Sequence, residues 1–171
     1  MRPLSARNPR ITGLAKLARR REERTEQRAF VVEGPTLVAV ALDAGAEVLD
    51  AYVAEEATVR PAVPEVLQRL GALVAPWVVP PGTLDRVGDA VTSQGLVAVV
   101  RRPEATWPEP AATTLVLVLC DVADPGNTGT LVRAAAAAGA GTVVVAGGVD
   151  PTNPKVVRAS AGAEFGVGIL D

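Results

Sequence analysis

Apolar positions along the chain fall into two series of strand-like and helix-like segments, separated by a proline-rich stretch. In the first series, residues 12–27 lack β-branched runs and carry a thin apolar stripe of Leu14, Leu17 and Ala18 in basic surroundings. That pattern predicts a helix, with Thr12 as the candidate N-cap. Residues 30–32 predict a short strand stopped by Glu33-Gly34-Pro35, and 36–44 a helix that ends at Gly45. A second strand is expected over 48–54, helices over 64–70 and 83–87, an apolar run over 73–79, and a strand over 96–100. Strands alternating with short helices argue for a small α/β sandwich spanning 1–102.

Residues 103–113 contain Pro103, Pro108 and Pro110 among Ala, Thr and Glu, and read as a linker. Trp107 within it is expected to pack back on one domain. The second series, 114–171, is sharper. A continuous apolar run over 115–120 predicts a strand buried on both faces. A loop over 121–126, a helix over 127–138 ended by Gly139, a buried strand over 142–146, a loop over 147–151, a helix over 153–161 and a strand over 167–170 follow. Strand-helix alternation of this kind implies a parallel sheet with right-handed crossovers.

Composition narrows the chemistry. There is no histidine, so every His-based triad, metal site or general base is excluded, and beyond one Cys only carboxylates are left to a zinc site, which argues against one. The single cysteine, Cys120, forms no internal disulfide, which fits the cytoplasm. No apolar run is long enough to suggest a membrane span, and the polar, basic start is unlike a signal peptide. Net charge is −2, but residues 1–30 hold nine of the 17 Lys and Arg against three Glu. A basic arm over 1–28 on an acidic body favours polyanions, because each phosphate contact releases counterions. A solvated helix face accounts for the same residues equally well.

The richest segment runs from Asp121 through Asn127 to Arg133, after a buried strand and into a helix. Ligands of open α/β sheets bind at that carboxyl end. Backbone N–H groups of Gly126, Asn127, Thr128 and Gly129 at the helix start offer an anion site, towards which Arg133, expected in the second turn, can reach. The alternative is a helix capped by Asp124 or Asn127 with a surface arginine. Neither a dinucleotide fingerprint nor a P-loop is present. On the second helix Lys155 and Arg158 are candidates for an RNA backbone or for ordinary helix solvation.

Asn127-Thr-Gly129-Thr-Leu-Val-Arg133-Ala-Ala resembles the first signature of the SpoU (TrmH) family of RNA methyltransferases, Asn-x-Gly-x-x-x-Arg-x-Ala. Pro154-Lys155-Val-Val-Arg158-Ala-Ser160-Ala-Gly162-Ala163 is similar to that family's middle segment. Phe30-Val-Val-Glu33-Gly34-Pro35, Val91-Thr-Ser-Gln94-Gly95 and the basic run from Lys16 through Arg19 resemble the substrate-binding domain that precedes the catalytic domain in ribosomal RNA members. The resemblance implies a trefoil-knot α/β methyltransferase domain, S-adenosylmethionine as methyl donor, a ribose 2′-hydroxyl of RNA as acceptor, and a homodimer. It implies that Arg133 activates the hydroxyl with help from an RNA phosphate, and that Asn127 shapes the site. A guanidinium is protonated at neutral pH. Arg133 is therefore either a base of unusually low pKa or an electrostatic stabiliser, and the sequence leaves both open. Lys16, Arg19, Arg20, Arg21, Lys155, Arg158 and Ser160 are the expected RNA contacts.

Two later signatures of the family, Gly-x-Glu-x-x-Gly and Ser-Leu-Asn, do not occur in the 171 residues. The resemblance implies that donor-binding residues lie beyond Asp171. The expectation is half a methyltransferase domain that does not methylate RNA alone. The competing reading is a non-catalytic RNA-binding protein with a vestigial half-domain; a generic nucleotide-binding domain has little support.

Overall fold

The first helix begins earlier than its apolar stripe suggests. The computed structural model describes residues 1–88, 93–111 and 114–171, and in it α1 spans Pro9–Arg19. The Asn8 side chain accepts the Arg10 N–H at 3.0 Å and Pro9 opens the first turn, so Asn8 and not Thr12 is the cap. Arg20 then turns extended, at φ −114° and ψ 124°, and α2 (Arg21–Gln27) follows. The expected single helix is two. Buried Arg24 bridges the break: its Nη1 donates to the Leu17 and Ala18 carbonyls at 3.0 and 3.2 Å. Those are last-turn carbonyls that a helix end leaves without internal partners.

The first unit, Met1–Arg102, is built on one five-stranded sheet. Its strands are β1 (Arg2–Pro3), β2 (Ala29–Glu33), β3 (Val48–Ala54), β4 (Trp77–Val79) and β5 (Leu96–Arg101), in the order β1-β4-β3-β5-β2. β1, β4 and β3 run parallel, while β5 is antiparallel to both β3 and β2. Phe30, Val31 and Val32 are all at most 3% exposed. Successive strand residues point to opposite faces, so β2 is covered on both. Helices α1 and α3 (Pro35–Asp43) both pack on it, and α4 (Val63–Gly71) packs on α3.

Three expectations shift. The apolar run over 73–79 is strand only from Trp77, and Leu73 is 61% exposed. The helix expected over 83–87 is one 3-10 turn, Leu84–Arg86. Residues 1–28 are not a free arm. Ile11, Leu14, Leu17 and Ala18 of α1 are core, and β1 is a paired strand that two residues could not announce. Val91 and Thr92 of the expected motif before β5 lie outside the described residues.

The second unit, Pro103–Asp171, begins without regular structure over 103–111. Trp107 there is 68% exposed rather than packed back; Ala112 and Thr113, the end of the expected linker, lie outside the described residues. Then come β6 (Val116–Cys120), α5 (Pro125–Ala137), β7 (Thr142–Ala146), α6 (Pro154–Ser160) and β8 (Gly168–Leu170). The three strands are parallel in the order β6-β7-β8. Leu119, Val132, Ala135, Val143, Val145 and Val167 form the core. The expectation that β6 is buried on both faces is corrected: Val118 is 52% exposed and Cys120 is also exposed. α5 packs on the sheet through Val132 and Ala135, beside Leu119, Val143 and Val145, and α6 packs on α5. β6 also lies at the sheet's edge.

Candidate functional site

In the second unit the carboxyl ends of β6 and β7 carry two loops that lie against each other. The Asp121 N–H donates to the Ala146 carbonyl and the Val149 N–H to the Val122 carbonyl, each at 3.0 Å. Gly148 has φ +76°, and a Cβ there would overlap the Val122 backbone. A left-handed backbone at so close an approach requires glycine.

The loop after β6 feeds α5 through Asp124. Its carboxylate accepts the Asn127 N–H at 2.7 Å, and its carbonyl accepts the Thr128 N–H at 3.0 Å. Thr128 and Gly129 are buried. Three of the four N–H groups considered for an anion are thus capped or covered, and the capped-helix alternative describes this terminus. The first helical residue is Pro125, so Arg133 stands in the third turn rather than the second. Asn127 and Arg133 are about 120° apart around the axis and about 9 Å apart along it. Thr130, exposed, lies between them and returns its hydroxyl to the Gly126 carbonyl at 2.8 Å. The side chains of Asn127 and Arg133 are exposed and make no hydrogen bond or ion pair among the described residues. They share the solvent face of α5 without touching.

On α6, Asn153 caps the helix by accepting the Lys155 N–H at 2.9 Å. Lys155 is exposed, Arg158 is half-buried, and both have partners within the protein. Ser160 does not fit its expected role as an RNA contact. It is 1% exposed, and its hydroxyl lies 2.9 Å from the Val157 carbonyl and in close contact with the Glu164 carboxyl. Burial pushes the Glu164 carboxyl above the ordinary carboxylate range, against the lowering effect of the Ser160 hydroxyl. The second carboxyl oxygen of Glu164 is buried without a partner among the described residues. Nothing local in the sequence marks the burial of Glu164.

In the first unit Lys16, Arg19, Arg20 and Arg21 are all exposed and line the solvent side of α1 and α2. Lys16 and Arg20 have no side-chain partner among the described residues. Arg19 Nη2 donates to the Arg86 carbonyl at 2.6 Å, which brings exposed Arg86 beside this basic group. Sequence reading missed Arg86, since only the folded sheet joins residues 67 positions apart.

Two family models match the sequence, the MRM3-like substrate binding domain over residues 8–98 and the SpoU rRNA Methylase family over 114–170. The chain is 34% identical over 169 residues to a protein of Mus musculus named rRNA methyltransferase 3, mitochondrial, across 95% of this chain and 40% of the relative. A crystal structure of an RNA 2′-O ribose methyltransferase matches with a TM-score of 0.79 and 38% identity, over 98% of this chain and 64% of that one. The SpoU methyltransferase AviRb from Streptomyces viridochromogenes, in complex with the cofactor AdoMet, matches with a TM-score of 0.84 and 26% identity, over 96% and 63%. The chain therefore spans two fifths of the mouse relative and less than two thirds of these solved chains. With the first model covering more than half of its length and the second most of the remainder, the chain belongs to the SpoU rRNA methylase family, in the group that carries an MRM3-like substrate-binding domain.

Proposed function

We propose that this chain is the RNA-facing part of an S-adenosylmethionine-dependent enzyme that methylates a ribose 2′-hydroxyl of ribosomal RNA. The observation that carries the reading is the pair Asn127 and Arg133, exposed and unpartnered among the described residues, on the helix that follows the first parallel strand. Arg133 presents a fixed cation to a phosphate next to the acceptor ribose. The same cation stabilises the 2′-oxygen as its proton leaves. Asn127, with one amide donor group and one carbonyl acceptor, orients the ribose. Lys16, Arg19, Arg20 and Arg86 of the first unit hold the RNA backbone, while Lys155 and Arg158 contribute charge from α6.

S-adenosylmethionine supplies an electrophilic methyl group on a sulfonium. The loops at the ends of β6 and β7 lie in backbone contact, which leaves no cradle for it between them. No donor-side residue is therefore assigned. Pairing of two copies and residence in the cytosol, where a lone exposed Cys120 stays reduced, complete the proposal. Sedimentation and cell fractionation read these two points.

The test has two arms. Ribosomal RNA fragments are titrated with the 171-residue chain between about 50 and 200 mM salt, where phosphate contacts show as a steep loss of affinity. Methyl transfer from labelled donor is then measured for this chain and for a polypeptide that joins it to the two later signatures. Salt-sensitive binding by both, with transfer by the second, is the expected result. Absence of RNA binding overturns the proposal. Binding with no transfer by either supports the non-catalytic alternative.

A further inference from the structure

A cavity of about 290 Å³ opens between α1 and the sheet of the first unit. Leu14 of α1, Leu49 of β3 and Val99 of β5 supply apolar wall, with Arg10 and Gln27 also lining it. Three features of the chain converge there. The first is Gly13, also at the cavity. A glycine inside a helix costs about 1 kcal/mol relative to alanine. Packing does not require it, since apart from its chain neighbours and the helix's own backbone no atom lies within 4 Å of the place a Cβ would take. The second is a bulge. β3 shifts register between Val48, which faces Val100, and Asp50, which faces Val99, so Leu49 has no partner on β5. Bulges bend a strand and re-aim its side chains, often beside a binding site.

The third is a fixed cation. Arg10 Nη1 donates to Asp50 Oδ2 at 3.0 Å. Asp50 is itself held by the Tyr52 hydroxyl at 2.7 Å and the Trp77 Nε1 at 2.9 Å. The Arg10 side chain is still 54% exposed, and its guanidinium also stands over the Trp77 ring, 5.0 Å from the centroid. Burial and then the Asp50 carboxylate raise the Tyr52 pKa, so the cavity presents a neutral phenol there and no nucleophile.

The hollow is apolar apart from the Arg10–Asp50 pair, the Tyr52 hydroxyl and the Gln27 amide, whose Nε2 donates to Glu23 at 3.1 Å and whose oxygen is unengaged among the described residues. It complements a flat ring with a polar edge, and the exposed side of Arg10 an attached anion. We propose that the cavity takes one unstacked nucleotide of the bound RNA, its base against Leu14, Leu49 and Val99, its edge on Gln27 and its phosphate on Arg10. The inference rests on the RNA-binding reading above.

The four nucleoside monophosphates and a single-stranded RNA are the probes, read by amide chemical shifts and by fluorescence anisotropy on the 171-residue chain. Shifts at Gly13, Leu14 and Leu49 are expected with the monophosphates. Gly13→Leu, which narrows the cavity from α1, lowers affinity for both probes about tenfold, and Gln27→Ala lowers it about fivefold. Gly13→Ala keeps the fold and raises the melting temperature, which separates a binding loss in Gly13→Leu from misfolding. RNA binding that is unchanged in Gly13→Leu, with no monophosphate shifts at the cavity, overturns the nucleotide site and leaves the RNA reading standing. A wild-type chain that binds no RNA but shifts with monophosphates overturns the RNA reading and makes the cavity a free-nucleotide site.

Discussion

Gly129 of α5 and Ala159 of α6 meet with no room between them. A Cβ on Gly129 would stand 2.5 Å from the Ala159 Cβ, 2.5 Å from the Val156 carbonyl oxygen and 2.8 Å from the Ser160 nitrogen. The glycine of the Asn-x-Gly signature is thus a helix-packing residue, two positions from Asn127 and one turn before Arg133. It seats the start of α5 on α6 and so fixes the face that carries both candidates. Gly129→Ala must push the helices apart. Overpacking of this kind costs about 1–3 kcal/mol, and better helix propensity returns at most about 1 kcal/mol. The expected outcome is a urea midpoint lowered by a net loss of about 1–2 kcal/mol. An unchanged midpoint would show that the helices slide apart without cost.

Arg133→Ala and Asn127→Ala separate chemistry from stability. Neither side chain is buried or bonded among the described residues, so each variant should keep its stability within about 0.5 kcal/mol. In a polypeptide that transfers methyl groups, Arg133→Ala should lower kcat about a hundredfold or more, as loss of a charge-stabilising donor does. Arg133→Lys keeps the charge but loses the planar fork, and should recover only part of the rate. Single-turnover transfer, with RNA affinity measured alongside, distinguishes this from weakened binding. Equal rates for wild type and Arg133→Ala would remove Arg133 from the site.

Much of this arrangement was legible in the sequence, for reasons that differ by element. The parallel unit was clear because uninterrupted β-branched runs such as Val143-Val144-Val145 and small-residue stops such as Gly139 leave few alternatives. The two-residue β1 was not, since Arg2 and Pro3 become a strand only by pairing with Trp77 and Val78. The break at Arg20 was hidden because Lys16 through Gln27 all tolerate helix; it is Arg24, folded back on the Leu17 and Ala18 carbonyls, that stabilises it. At the candidate site the pattern gave Asn127 and Arg133 by resemblance. It could not tell that Ser160 faces inward, because a buried hydroxyl and a surface one look alike in sequence.

Glu164 gives a pH dependence with a definite sign. The Ser160 hydroxyl has one proton and lies beside two acceptors, the Val157 carbonyl and the Glu164 carboxyl. A protonated Glu164 donating to Ser160, with Ser160 donating to Val157, satisfies both contacts. A carboxyl whose folded pKa is raised contributes stability that is complete below its unfolded pKa of about 4.3 and is lost as pH rises through the folded value. Glu164→Gln keeps a donor and cannot ionise. Its stability relative to wild type should therefore rise from about pH 4 towards neutrality, as read by urea unfolding at a series of pH values. Parallel curves for the two proteins would mean that Glu164 stays ionised in the fold.

The basic residues of α1 and α2 divide into those that hold the fold and those that face solvent, and this replaces deletion as a test of RNA binding. Removing 1–28 would strip Ile11, Leu14 and Leu17 from the core, so lost binding would report unfolding. Point substitutions do not share that fault. Lys16→Ala and Arg20→Ala remove solvent-facing cations without a partner among the described residues. Each should leave stability unchanged, weaken RNA binding, and reduce the slope of log affinity against log salt by about 0.7–0.9, the share of one phosphate contact. Arg24→Met should do the reverse. Arg24 is 4% exposed and donates to two carbonyls at the end of α1, so its loss should cost about 2–3 kcal/mol of stability while leaving the salt slope of the folded fraction intact. If Arg24→Met flattened the slope and Lys16→Ala and Arg20→Ala did not, the RNA would be held by a different face of the unit.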